Sequence, residues 1–163
     1  MTHLLDPKTR TRKMLMQEKI VLRVVAKALI PFILLFALYV EFHGDFSPGG
    51  GFQAGVIFAA GLILYGLIFG PVALASAVKP RWVEIGIALG VLIYGGVGVY
   101  NLIRHGHFLA YSSLDHHDPV HGQHLGILLV EIGVGITVAS VMTGIYLLFA
   151  GRGLRRHGRS LHR

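Results

Sequence analysis

The sequence contains no cysteine, so disulfide frameworks, thiolate metal sites and cysteine nucleophiles are all excluded. Charge is scarce as well. Only 14% of the 163 residues are Asp, Glu, Lys or Arg, against about 25% in an ordinary soluble domain. Such a chain has too few charges to cover a water-facing surface. It also lacks internal repeats and Pro- or Ser-rich linkers, and its 53% hydrophobic content excludes intrinsic disorder. Proline is limited to 6 residues, whereas glycine reaches 22. Those glycines suit close helix packing better than collagen or a flexible linker.

Apolar sequence is what the chain has in abundance, with a mean hydropathy of +0.64. A helix crossing about 30 Å of hydrocarbon needs about 20 mostly apolar residues. Four stretches meet that requirement: 21–42, 52–69, 83–103 and 123–150. Arg23 and Lys27 lie in the first turns of the first stretch, where their stems can snorkel to the interface. Pro31 is a kink position within it. Gly70-Pro71 ends or kinks the second, and 72–78 continue the apolar run. The expectation is an all-α membrane protein with four transmembrane helices.

The basic residues set its orientation. Fourteen of the 15 Lys and Arg fall before the first span or in its first turns, between the second and third, or after the fourth. Only Arg104 lies on the opposite side. The positive-inside rule then places both termini in the cytoplasm, with the first and third loops facing outward. The net charge of +7 is thus a topology signal. Nucleic-acid binding is disfavoured, because the basic residues flank apolar spans. Three regions follow: a basic N-terminal segment 1–19, a four-helix membrane domain 20–150 and an Arg-rich tail 151–163.

Few residues in the spans can carry chemistry. Glu131 lies about eight residues into the fourth span, about 12 Å from its outer boundary. A carboxylate at that depth costs about 2.5 kcal/mol or more unless it is protonated, paired or facing water. It is either a proton or cation relay or a buried hydrogen-bonding anchor for helix packing. Glu41, at the outer end of the first span, is a solvated or paired end residue or a second lining of an ion path. Seven of the ten histidines fall on the outer side: His43, His105, His107, His116, His117, His121 and His124. Their spacing matches no standard finger, so no metal site is expected, and pH-dependent loop charge is the better account. Gly66 with Gly70, and Gly86 with Gly90, form small-xxx-small patterns suited to helix contact. The first outer loop is a tight, glycine-rich turn whose free amides can receive an anion or carboxylate at a helix N-terminus.

That loop also carries a family resemblance. The run Phe42-His-Gly-Asp-Phe-Ser-Pro-Gly-Gly-Gly-Phe-Gln-Ala-Gly55 closely resembles the signature of the MnhB/MrpB family, small subunits of the multisubunit Na+/H+ antiporters called Mrp, Mnh or Sha. Its signature positions here are His43, Gly44, Ser47, Pro48, Gly49, Gly50, Gly51 and Phe52. The later run from Gly122 to Met142, which contains Glu131, is similar to the same family, and the likeness spans 16–150. It implies a non-catalytic subunit of a hetero-oligomeric complex in the bacterial inner membrane, without a cofactor. The implied partners are subunits of the A, C, D, E, F and G types. The implied transport is Na+ export driven by inward proton movement. The corresponding subunit of a membrane-bound hydrogenase is an alternative within the same superfamily. A purely structural helix-packing subunit is a further alternative.

Overall fold

The computed structural model describes residues 7–44, 49–104, 107–114 and 118–160, with side chains described for 20–44, 49–104, 107–112, 114 and 118–151. Five helices make up the described chain: α1 (Pro7–Phe42), α2 (Gly51–Phe69), α3 (Pro71–Ala77), α4 (Pro80–Ile103) and α5 (Pro119–Ser160), with one 3-10 turn at Tyr111–Ser113. Four contain segments long and apolar enough to cross a membrane: Ile20–Phe42, Gly51–Phe69, Pro80–Ile103 and Pro119–Gly151. These are the four expected spans.

The helix ends differ from the expectation in instructive ways. α1 has 36 residues and α5 has 42, so both continue as helix well beyond their apolar parts. At 1.5 Å per residue they are about 54 and 63 Å long, against about 30 Å of hydrocarbon. For α1 the reason is local. Its polar lead begins with Pro7, a favoured first helical residue, and continues mainly with Lys, Arg, Met, Leu, Gln and Glu, all good helix formers. Pro31 lies inside α1, and the helix runs through it. Gly70 separates α2 from α3. Its φ of 97° is open to glycine but rarely to other residues, and Pro71 starts the next helix. α5 begins under the Asp118 carboxylate, which accepts hydrogen bonds from the Val120 and His121 backbone N–H groups at 3.0 and 3.2 Å.

The spans form a row. α1 packs on α2, α2 on α5, and α5 on α4, while the short α3 rests on α2 and α5. α1 barely touches α5 and has no packed interface with α4 among the described residues. The two long seams of α5 are made from small residues. A Cβ on Gly55 would meet the Gly135 carbonyl oxygen at 2.7 Å, and one on Gly133 would meet the Gly90 carbonyl oxygen at 2.9 Å. Backbones in such contact replace the hydrophobic driving force that lipid does not supply between helices. Only 17% to 28% of each span is buried within the chain. The remainder is partly covered or exposed, with surface left for lipid or for other proteins.

Candidate functional site: two glutamates near the glycine loop

Four crossings put the described residues 43–44 and 49–50, and 107–114, at one end of the row. At that end, α1, α2 and α5 bring Glu41 and Glu131 together. Gly44 and Gly50 close over the Glu131 carboxylate. A Cβ on Gly44 would lie 2.8 and 2.9 Å from its two oxygens, and one on Gly50 would lie 3.1 Å from Oε1. Gly50 adopts φ 130°, which fits glycine and turns the chain into α2. Gly51 then rests its Cα against the main chain of Glu131, leaving no room for a side chain. Gly44, Gly50 and Gly51 therefore give way to a single carboxylate and its backbone.

The surroundings of the two acids are unequal. Glu131 is half-buried and lies at the N-terminal end of α2, where Gly50 supplies no side-chain cap and the positive end of the helix dipole meets the carboxylate. Its place at a helix N-terminus is the arrangement that the free amides of the loop allow. Glu41 reaches one turn further along the same face of α5, to Gly135, where a Cβ would come within 2.8 Å of Oε2. Glu41 is only 8% exposed, and its Oε1 has no hydrogen-bond partner among the described residues. The two side chains are close enough for their charges to interact. A cavity of about 380 Å³ opens beside Glu41 between α1, α2 and α5, with walls that are apolar apart from Glu41 and Ser140.

Among the signature positions, His43 stacks on Tyr39 with ring centroids 4.9 Å apart, and its backbone N–H donates to the Tyr39 carbonyl at 3.0 Å. Gly49 packs near the Val40 carbonyl, while Phe52 is exposed. Ser47 and Pro48 lie outside the described residues, as do His105, His116 and His117. The paired glycines divide in role. Gly86 packs on Ser140, Gly90 on Gly133 and Thr137, and Gly66 on Tyr146 and Leu74. Gly70 meets nothing within 4 Å and serves the α2–α3 turn instead.

Some features carry no clear mark in the sequence. The segment after α4 folds back as a cap: Phe108 packs on Gly98, and Tyr111 packs on Gly126. Leu109 between them takes φ 63°, unusual for a non-glycine residue. Burial, with the nearby Tyr94 phenol adding to it, pushes the Tyr111 phenol above its ordinary range. The glycines facing these rings are the available signal, but a span glycine does not reveal whether a helix or a loop covers it. Asn101 and Thr143 are the other polar side chains fully or almost fully buried among the described residues.

A row of four apolar helices with two carboxylates meeting at one end defines a multi-pass helical membrane protein. Its family is equally plain. Residues 21–151 match the family described as a domain related to the MnhB subunit of Na+/H+ antiporter, and the chain belongs to that family. It is 31% identical over 137 residues to a Staphylococcus haemolyticus (strain JCSC1435) protein named as antiporter subunit mnhB2. That alignment covers 83% of this chain and 96% of the relative. The protein of the same name from Staphylococcus aureus (strain Newman) is 30% identical over the same shares.

Proposed function

We propose that this chain is the MnhB-type subunit of a multisubunit Na+/H+ antiporter, and that Glu131 and Glu41 line its polar path for protons or Na+. Family membership supports the first part, together with the near full-length match to the mnhB2 relatives. The Glu131 carboxylate beneath Gly44 and Gly50, with the Glu41 carboxylate one turn along α5 at Gly135, supports the second. An acid within a span is expensive, so two side by side call for a proton, a cation or a donor to serve them. The subunit works without a cofactor and catalyses no covalent reaction. Its place is the bacterial inner membrane, with both termini cytoplasmic and the glycine loop outward, as the basic residues favour. Its partners are the A, C, D, E, F and G subunit types.

The test is Na+-dependent proton flux in membrane vesicles carrying the assembled complex. Glu131→Gln keeps the side chain's shape but removes its charge and its titration. The expected result is at least a tenfold loss of flux with normal assembly. Unchanged flux would remove Glu131 from the path. Loss of assembly together with flux would mark it as a packing anchor.

A further inference from the structure

The groove beside Glu41 is unfinished. α2 forms its back, while α1 and α5 form two walls that barely touch each other. Leu38, Phe58 and Ile136 make the sides apolar, and Ala54, Gly55 and Gly135 keep the floor low. Small residues of this kind let a further helix approach closely in a bilayer. That alone would fit lipid as well as protein. Glu41 decides between them. Its carboxylate lines the groove, is 8% exposed, and leaves Oε1 without a partner among the described residues. A buried polar oxygen in that condition costs free energy that only a donor recovers. An acyl chain has none to offer. Among the described residues no Lys, Arg or His lines the groove, whereas a second acid, Glu131, is nearby. A basic side chain is the electrostatic complement of such a groove. A Lys or Arg stem can lie along the apolar walls with its head at Glu41.

Resting on the reading of this chain as an antiporter subunit, we propose that the groove seats a transmembrane helix of another subunit of the complex, which presents a Lys or Arg side chain to Glu41.

The test is photocrosslinking in the assembled, purified complex, with p-benzoylphenylalanine placed at Phe58 in the groove or, as a control, at Leu92, which is exposed on α4. The expected product from Phe58 is a peptide of a different subunit containing a span-length apolar segment with a Lys or Arg in it. Leu92 should not yield that peptide. Glu41→Gln should cut the Phe58 crosslink several-fold. Exchanging charges, Glu41→Lys together with the partner's basic residue changed to Glu, should restore it. Crosslinks to lipid alone, to a second copy of this chain, or to a segment without a basic residue would overturn the groove assignment and leave the antiporter reading standing. So would a yield indifferent to Glu41→Gln. A chain that purifies with no other polypeptide would overturn both.

Discussion

At the scale of single residues, the loop glycines separate into those that face backbone and those that face a movable side chain. A methyl group on Gly51 would run into the main chain of Glu131, which cannot withdraw without moving α5. A methyl group on Gly44 would meet chiefly the two carboxylate oxygens of Glu131, the far end of a flexible side chain. Gly51→Ala should therefore destabilise the α2–α5 seam by about 1–3 kcal/mol, the usual range for overpacking. Gly44→Ala should leave stability nearly unchanged while displacing the carboxylate. Thermal unfolding in detergent, set beside flux in vesicles, checks the contrast. Gly51→Ala should lower the melting temperature, whereas Gly44→Ala should reduce flux without doing so. These positions stand out in the sequence, because Glu131 is a lone acid in an apolar run and Gly49 to Gly51 are contiguous. Their mutual contact is not. It depends on α2 and α5 lying side by side, and no spacing within either segment states that.

At the scale of elements, the four spans can be read almost to their ends, because bilayer thickness fixes how long an apolar helix must be. The helical extensions of α1 and α5 escape such a reading, since hydropathy marks where the membrane stops and not where the hydrogen-bonded helix does. The cap formed by Phe108 and Tyr111 escapes it for a different reason: polar, histidine-rich flanks hide a pair of aromatic anchors. That cap should respond to alkali. The Tyr111 phenol is raised by burial and by Tyr94, so the folded state holds its proton more tightly than the unfolded chain does. Its contribution is complete below the ordinary phenol range, about pH 10, and declines as the pH rises through the folded value. In a phenolate absorbance titration, Tyr111→Phe should lose a late-titrating component. If the late component survives intact, the ring does not rest in a buried seat.

At the scale of the whole molecule, the row of helices leaves most of every span exposed or only partly covered. Lipid can cover apolar side chains, but it cannot satisfy Glu41. The chain expressed without the rest of the antiporter should therefore be short-lived in the membrane. A pulse-chase comparison is expected to show a half-life several-fold shorter than that of the chain in the complete complex, with Glu41→Leu lengthening it. Equal half-lives would mean that the row satisfies itself.

The same row has a mechanical consequence. In a closed bundle every helix leans on several others, so an injury at one contact spreads through the core. Here the main contacts run α1 to α2 to α5 to α4, with lesser braces from α3 onto α2 and α5 and from Glu41 to Gly135. Stability then approaches a sum over joints, as it does in solenoid repeats. Damage where Gly61 meets Leu34, between α1 and α2, should add to damage where Gly86 meets Ser140, between α4 and α5, with little cross-talk. The protein behaves as a short hinged strip rather than a block. Such a strip can flex at one joint while the others hold their register.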